Sequence, residues 1–216
     1  MSQKAQRGKF IVIEGLEGAG KSTAISTVIN YLSKHGVESP VTTREPGGTP
    51  LAEKIRELVK SPEITEPVAP ETELLMMYAS RAQLVKTVIE PALESGQWVV
   101  GDRHDLSSRA YQGGGRGIPD NQIQAIKTAV LDDFTPDLTI YMDIDPETGL
   151  ARARGRGELD RIELEAIGFF ERTRDRYLEL AQSDSTIKTV DANRSLAEVT
   201  SQLEELLAKE VAPWLK

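Results

Sequence analysis

The sequence predicts an α/β fold with a five-stranded parallel sheet and helices on both faces. Two observations lead to this prediction. Five short apolar runs alternate with longer helical stretches along the 216 residues, and the first run ends in a glycine-rich loop that opens a helix. Strands that alternate with helices form parallel sheets buried on both sides. The length fits one domain over residues 1–216.

The glycine-rich loop is Gly15–Ser22, G-L-E-G-A-G-K-S, which follows the apolar run Phe10–Ile13. It matches the pattern G-x-x-x-x-G-K-[ST], whose tight turns aim backbone N–H groups at phosphate oxygens. Lys21 would reach the β- and γ-phosphates, and the Ser22 hydroxyl would ligate a bridging Mg²⁺. The pattern predicts a P-loop NTPase. Its predicted ATP-binding residues are Gly15, Leu16, Glu17, Gly18, Ala19, Gly20, Lys21, Ser22 and Thr23.

The five predicted strands are short and rich in β-branched or aromatic residues, a composition that favours strands. They are Lys9–Glu14, Val41–Thr43, Gln97–Gly101, Leu138–Asp143 and Thr186–Val190. The second strand runs into Arg44–Thr49, where Pro and Gly-Gly force a turn.

The predicted helices fill the intervals between these strands. They are Lys21–Lys34, Leu51–Val59, Glu71–Leu93, Asn121–Leu131, a helix opened by Pro146, Ile162–Leu180 and Leu196–Lys209. Gly36 fits a C-terminal cap for the first helix, and Pro146 stands at a permitted first-turn position. Ser61–Pro70, which contains three prolines, is predicted to be a surface connection.

An arginine lies on the apolar face of the helix predicted over 71–93. The stripe consists of Leu74, Tyr78, Val85 and Val88. Arg81 falls inside this stripe, where a guanidinium is costly without a polar partner. Arg81 therefore either pairs with an internal carboxylate or faces a ligand cavity. Met77, one turn earlier, would share the same wall.

The third strand ends in Asp102-Arg103-His104, at the edge of the sheet where open α/β folds bind ligands. Arg103 places a cation where a second phosphate could bind. The segment Asp105–Gly117 that follows is rich in hydrogen-bonding groups and is predicted to be an ordinary surface loop.

Four arginines crowd into ten residues broken by two glycines. They are Arg152, Arg154, Arg156 and Arg161. Basic residues near a helix end often only complement the helix dipole. In a chain this acidic they also fit an arginine-rich lid, over about residues 152–161, that closes on phosphates and excludes water.

The amino-acid composition excludes several further classes of function. The net charge of −8 argues against a nucleic-acid surface, and no apolar run approaches the length of about 20 residues that crosses a bilayer. The polar start Met1–Gly8 lacks a secretory signal, so we expect a cytoplasmic location and no membrane partner. The absence of cysteine excludes disulfides and thiol catalysis, and two histidines exclude a histidine-rich metal centre.

A P-loop alone does not separate a kinase from a switch GTPase or a mechanical ATPase. The chain has no N-K-x-D motif for reading guanine, and its third strand ends in Asp102-Arg103 instead of acidic residues that polarise water. Phosphoryl transfer depends on holding donor and acceptor in line and on neutralising charge. Arginines at the sheet edge and in a lid suit transfer between two anionic substrates.

Four blocks of sequence together resemble bacterial thymidylate kinase. They are E-G-L-E-G-A-G-K-S-T, T-R-E-P-G-G-T, D-R-H followed by S-S-R-A-Y-Q-G-G-G-R-G, and G-E-L-D-R-I-E, in family order from Glu14 to about Glu163. Only the first block is widespread among nucleotide kinases. The resemblance implies transfer of the γ-phosphate of ATP to dTMP with Mg²⁺, usually in a homodimer.

The resemblance also implies roles on the acceptor side. Arg56 and Arg103 would bind the acceptor phosphate, with Glu45 beside that pocket. Glu17 would lie near the 3′-hydroxyl of the dTMP sugar, and the ring of Tyr111 would disfavour a ribose 2′-hydroxyl.

The thymine ring would be read by Arg81, with Ser108 and Gln112 lining the same pocket. Met77 is a departure, because the family usually has a phenylalanine that stacks on thymine there. A thioether can still lie against an aromatic face, so dTMP binding is expected to survive.

The donor side relies on the lid, since Gly18 stands where eukaryotic relatives carry an extra P-loop arginine. The predicted catalytic residues are Lys21, Arg103, Arg152, Arg154 and Arg156. The resemblance leaves open which of the three lid arginines contacts phosphate and which stacks on adenine. The predicted metal site consists of Ser22, Glu17 and Asp102.

Two alternative functions stay open at this point. One is another nucleoside-monophosphate or deoxynucleoside kinase on the same scaffold. The other is a nucleotide-gated binding protein without transfer activity, in which Arg103 and the lid arginines would lack a role.

Overall fold

A computed structural model describes residues 7–155 and 159–215 of the chain. Five parallel strands form one sheet. They are β1 (Phe10–Gly15), β2 (Val41–Arg44), β3 (Val99–Asp102), β4 (Leu138–Asp143) and β5 (Ile187–Asp191). Their spatial order is β2-β3-β1-β4-β5, which confirms the predicted five-stranded parallel sheet.

The strand order places a crevice between β1 and β3. The chain leaves β1 toward β2 on one side, whereas it leaves β3 toward β4 on the other. Ligands of open α/β sheets bind at such a switch point, beyond the carboxyl ends of the strands. Ile13 of β1 is opposite Asp102 of β3, so the glycine loop and Arg103 emerge side by side.

Nine helices surround the sheet within the described ranges. They are α1 (Lys21–Lys34), α2 (Pro50–Lys60), α3 (Pro70–Leu84), α4 (Glu90–Glu94), α5 (Asp105–Ser108), α6 (Asp120–Leu131), α7 (Pro146–Arg154), α8 (Ile167–Ser183) and α9 (Leu196–Glu210). Two π-helical segments, Val85–Ile89 and Arg109–Gly115, and a short 3₁₀ turn, Ala212–Leu215, complete the described elements. No helix in this part of the chain is both long and apolar enough to span a membrane.

The core has two parts, one on each face of the sheet. Ile11 and Ile13 of β1 belong to the cluster that includes side chains of α1, α8 and α9. Phe10 and Val12 belong to the cluster that includes side chains of α3, α4 and α6. Alternate residues of one strand therefore contact opposite layers, which places helices on both faces as predicted.

Capping residues fix where several helices begin. The Thr49 side chain accepts a hydrogen bond from the Ala52 N–H at the start of α2. Asp145 caps α7 in the same way. Ser195 and Glu198 form a capping box at the start of α9.

The prediction that 105–117 is a surface loop is wrong. This stretch is α5 followed by the π-helical segment Arg109–Gly115, and most of its side chains are buried. Its glycines are required for close packing. A Cβ at Gly115 would lie 2.5 Å from the Phe169 ring, and one at Gly114 would lie 2.7 Å from the Arg172 carbonyl oxygen in α8.

Two predicted helices also have different limits. The helix predicted over 71–93 is interrupted by the π-helical segment Val85–Ile89. The helix predicted from Ile162 begins at Ile167, because Asp160 Oδ1 accepts bonds from the N–H groups of Ile162 and Glu163 and forms a turn there.

Candidate active site

The P-loop turns at glycines that a side chain would block or strain. Gly18 has φ +76°, and a Cβ there would lie 2.1 Å from the Gly149 carbonyl oxygen of α7. Gly20 has φ +81°, with no neighbour within 4 Å of its Cβ position. No described side chain caps α1, which begins at Lys21, so its first N–H groups are available to an anion.

The predicted ATP-binding residues divide into two groups. Six of them border a single cavity, namely Glu17, Gly18, Gly20, Lys21, Ser22 and Thr23. Leu16 and Ala19 are buried in the core, and Gly15 ends β1. These three are not among the residues that border the cavity; Gly15 and Leu16 instead hold Lys21 through their carbonyl groups.

Lys21 lies against its own loop. Its Nζ donates to the carbonyl oxygens of Gly15 (3.1 Å) and Leu16 (2.9 Å). Burial and the nearby Arg103 guanidinium lower the pKa of Lys21 to about 8, against the opposing effect of Glu17. Both hydrogen-bond acceptors are neutral carbonyl groups. The positive charge of the ammonium group is therefore not paired by these acceptors and is available to an incoming phosphate.

Arg103 stands at the end of β3 in a strained conformation, with φ +71°. Its guanidinium donates to Glu17 Oε1 (2.6 Å) and to Ser107 Oγ (3.1 Å). Tyr111 OH donates to Glu17 Oε2 at 2.6 Å. Burial alone would raise the pKa of Glu17, but Arg103, Lys21 and Tyr111 outweigh it and lower that pKa to about 2. Glu17 is therefore a carboxylate held between the P-loop and Arg103.

Glu14, which the sequence analysis did not single out, supports the Arg103 loop. It is fully buried at the end of β1. Its carboxyl oxygens accept bonds from the N–H groups of His104 and Ser107 and from the hydroxyls of Ser107 and Tyr177. Burial raises the pKa of Glu14, although Arg103 and these donors oppose the rise. A charged residue in an otherwise apolar strand was the available sequence signal.

Arg81 satisfies both alternatives that the sequence left open. Its Nε donates to Glu45 Oε2 (2.6 Å), and its NH2 donates to Ser108 Oγ and to the His104 carbonyl oxygen. Arg81 also borders the cavity, together with Met77. Its NH1 is buried and has no hydrogen-bond partner among the described residues.

Arg56 borders the same cavity from α2. Its NH1 donates to the Pro46 carbonyl oxygen at 2.8 Å. Burial and the Arg44 guanidinium lower the pKa of Arg56, as expected of a cation kept in electropositive surroundings. Lys60, one helical turn after Arg56, also borders the cavity and pairs with Asp160. The i,i+4 spacing from Arg56 was the signal that could have identified Lys60.

Gln112 borders the cavity and is held from behind by Glu73, to which its Nε2 donates at 2.9 Å. Glu73 also accepts bonds from Arg116 and Arg161. This buried carboxylate therefore joins three segments that lie far apart in the sequence.

The arginine cluster of 152–161 is distributed over different environments. Arg152 borders the cavity and donates to the Ala192 carbonyl oxygen at 3.2 Å. Arg154 is exposed and is not among the residues that border the cavity. Arg161 pairs with Glu73 and donates to the Val59 carbonyl oxygen. Arg156 lies outside the described residues.

The three predicted metal ligands, Ser22, Glu17 and Asp102, border the cavity together. Asp102 Oδ1 is buried and has no hydrogen-bond partner in the described part of the chain. Both oxygens of Glu17 already accept bonds from Arg103 and Tyr111. Across residues 7–155 and 159–215, no group of three or more acidic, histidine or cysteine side chains could hold a metal ion. This small number of protein oxygen ligands fits Mg²⁺, because Mg²⁺ takes its other ligands from water and nucleotide phosphates.

The bordering residues named above surround one cavity of about 450 Å³. P-loop residues border it on the donor side. The other bordering residues include Glu45 and Pro46, which follow β2, and residues from α2, α3, β3 and the segment after β3. Anion-binding groups therefore meet from two directions in one space. A parallel sheet, a P-loop at its switch point and a second cationic subsite define a P-loop nucleotide kinase.

Comparison with known proteins identifies the family. A family model described as "Thymidylate kinase" matches residues 13–203. A solved structure of thymidylate kinase from Ehrlichia chaffeensis is similar, with 29% sequence identity and a TM-score of 0.74, covering 94% of this chain and 99% of that chain. The chain belongs to the thymidylate kinase family, and its activity is the transfer of a phosphoryl group from ATP to dTMP.

Proposed function

We propose that the two sides of the cavity divide the two nucleotides between them. The P-loop and the start of α1 bind the phosphates of ATP. Arg56 and Arg103 bind the phosphate of dTMP, while Arg81, with Ser108 and Gln112, reads the thymine ring. The observation that carries this proposal is that Lys21 and these arginines border one cavity although they come from distant segments.

The sugar of dTMP belongs beside Glu17 and Tyr111. Glu17 is charged, and Tyr111 donates to it, so the pair offers a hydrogen-bond acceptor for the 3′-hydroxyl and a rigid ring against a 2′-hydroxyl. Met77 lies one turn before Arg81 and forms the apolar side of the base pocket.

We also propose that the protein binds Mg²⁺ in this cavity. Ser22 and Asp102 would hold it, because Asp102 offers a buried oxygen without a partner among the described residues and Ser22 lies in the first turn of α1 beside the phosphate site. The ion supplies neutralisation of phosphate charge during transfer. Glu17, the third predicted ligand, would contact it through water, since each of its oxygens already accepts one bond and the remaining lone pairs face the 3′-hydroxyl in this proposal.

The remaining features concern the whole chain. We propose that residues 1–216 form one domain, with a lid over about 152–161 in which Arg152, Arg154 and Arg156 approach the donor phosphates. We also propose that the protein acts as a cytoplasmic homodimer.

A panel of acceptors tests the division of substrates. ADP formation is measured with ATP, Mg²⁺ and each of dTMP, dUMP, CMP, GMP and thymidine. We expect fast turnover with dTMP only. Equal or faster turnover with another acceptor would indicate a different nucleoside-monophosphate or deoxynucleoside kinase on the same scaffold. No turnover with any acceptor would favour a nucleotide-gated binding protein.

The substitution Arg103→Ala tests the role of one acceptor residue. We expect kcat/KM for dTMP to fall by about 10²-fold or more, because a charge that stabilises the transferring group is lost. The Kd of ATP, measured by titration calorimetry, should change little. Loss of ATP binding in this variant would contradict the assignment.

A further inference from the structure

We propose that His104 is a positioning residue for recognition of the acceptor base. Through Glu45 it fixes the guanidinium of Arg81, and so it sets the affinity for dTMP without touching either nucleotide. The inference rests on the proposed role of Arg81 in reading thymine and extends that role to a residue outside the cavity.

The three side chains form a continuous chain of hydrogen bonds. His104 Nδ1 lies 2.7 Å from Glu45 Oε1, and Glu45 Oε2 lies 2.6 Å from Arg81 Nε. All three side chains are buried, with exposed fractions of 1%, 4% and 2%. In such surroundings each polar group is costly to leave unpaired, so the chain has few alternative arrangements.

The arrangement leaves Arg81 with one uncommitted donor. Its Nε is held by Glu45, and its NH2 is held by Ser108 and by the His104 carbonyl oxygen. NH1 is buried without a partner among the described residues, on a side chain that borders the cavity. A planar guanidinium held at two of its nitrogens has little freedom to rotate, so NH1 points in one direction. The position of Glu45 therefore determines where the two free N–H groups of NH1 lie.

The surroundings of His104 select the tautomer that supports Glu45. The ring lies between Phe10 and Phe134, with centroid distances of 5.3 and 5.9 Å. Its Nε2 is buried and has no partner in the described part of the chain. A neutral ring with its proton on Nδ1 donates to Glu45 and leaves only a lone pair on Nε2, which costs less to bury than an unpaired N–H.

The same residue also connects the two acceptor-side arginines. His104 follows Arg103 directly, and its N–H donates to Glu14, which holds the Arg103 loop. Its carbonyl oxygen accepts from Arg81. The backbone of His104 therefore already connects the two arginines, and its side chain extends this connection to Glu45.

Three substitutions of His104 distinguish the effect of its hydrogen-bond donor from the effect of its size. His104→Leu removes the donor at similar volume. His104→Asn retains it, because the amide nitrogen of Asn occupies roughly the place of Nδ1–H. His104→Gln is polar, but its longer side chain places the amide near the position of Nε2. Phe134→Leu is the matched control, since it loosens the packing around the ring without removing a hydrogen bond.

The readouts are the Kd of dTMP by calorimetry without ATP, the KM of each substrate, kcat, and the melting temperature. We expect His104→Leu to raise the Kd and KM of dTMP by about tenfold or more, because a hydrogen bond to a charged group is lost. The KM of ATP, and kcat at saturating dTMP, should stay within about threefold of wild type. His104→Asn should restore dTMP affinity, and His104→Gln should not.

Two results would overturn the proposal. One is a dTMP Kd that rises equally in His104→Asn and His104→Leu. The other is a loss in which kcat, both KM values and the melting temperature move together as they do in Phe134→Leu. If His104→Leu does not fold, the proposal is tested by comparing the dTMP Kd of His104→Asn with that of His104→Gln. Failure of the proposed function is distinguishable, because the wild-type protein would then bind dTMP no better than other monophosphates.

Discussion

At the scale of single residues, Lys21 is buried and lies near the guanidinium of Arg103. Both effects disfavour its charged form and lower its pKa to about 8. Bound phosphate favours the charged form, so ATP binding must take up the proton when Lys21 is neutral. We therefore expect the Kd of ATP to rise by about tenfold between pH 7 and pH 9, the range in which most of the free protein loses that proton.

Calorimetry across this pH range measures the effect, with Lys21→Arg as the control. Arginine stays charged throughout, so its ATP affinity should be flat with pH. A Kd that rises equally in both proteins would assign the pH dependence to another group.

Single residues were predictable where a local pattern stated the chemistry. The P-loop pattern placed Lys21 and Ser22 at the cavity, and an arginine in an apolar stripe indicated that Arg81 is buried in a polar environment. Glu14 and Glu73 were missed, because their partners lie tens of residues away and only the fold brings them together.

At the scale of elements, glycines between α5 and α6 serve packing against α8. A Cβ at Gly115 would lie 2.5 Å from the Phe169 ring and 2.7 Å from Thr173 Oγ1. Gly115→Ala must displace α8 or the π-helical segment, and overpacking of this kind costs about 1–3 kcal/mol. Urea denaturation should show that loss in the free energy of unfolding.

Gly168→Ala is the control for this substitution, since a Cβ there has its nearest neighbour at 3.5 Å, the end of the Arg172 side chain. Alanine has the higher helix propensity, so this variant should be neutral or slightly stabilising. Equal stability of Gly115→Ala and wild type would contradict the packing explanation.

The arginine cluster of 152–161 provides a second prediction about elements, because the last arginine of α7 and an arginine of the following segment have different roles. Arg161 donates to the Val59 carbonyl oxygen and to Glu73. Arg161→Ala leaves these buried acceptors short of a donor, and we expect about 1–3 kcal/mol of lost unfolding free energy, less than for a fully buried ion pair. Arg154 is exposed, so Arg154→Ala should leave stability within about 0.5 kcal/mol and lower kcat instead.

Denaturation and steady-state kinetics on the two variants measure the contrast. A loss of kcat with full stability in Arg161→Ala would place it with the donor phosphates. Unchanged kcat in Arg154→Ala would remove Arg154 from the catalytic residues. The sequence could not make this distinction, because both arginines occupy the same charged cluster and only the partner on α3 separates them.

At the scale of the whole molecule, alternation of strands and helices was enough to predict the fold class and the edge that holds the site. The strand order was not predictable, because it depends on which buried faces pack together. The π-helical segments were also not predictable from local sequence, and the second of them packs against α8, which lies far away along the chain. The glycine loop and Asp102-Arg103 still met as expected, because the carboxyl ends of parallel strands share one edge.

The proposed homodimer has a candidate surface on α2 and α3, which pack against each other. Leu51 and Leu58 of α2 are 54% and 56% exposed, and Leu75 of α3 is 56% exposed. Residues seven apart lie on one side of a helix, so the two α2 leucines face the same way. Exposed apolar side chains grouped on neighbouring helices are typical of subunit interfaces.

We expect sedimentation equilibrium of the wild-type protein to give twice the mass of the chain, and Leu58→Glu to shift it toward the monomer, because a buried unpaired carboxylate opposes association. Leu196→Glu is the matched control, since Leu196 is 67% exposed on α9 and lies apart in sequence from this pair of helices. A dimer that tolerates Leu58→Glu but dissociates in Leu196→Glu would move the interface to α9. A monomeric wild-type protein at micromolar concentration would rule out the homodimer. Because α2 also carries Arg56, dissociation through Leu58 should in addition raise the KM of dTMP more than that of ATP.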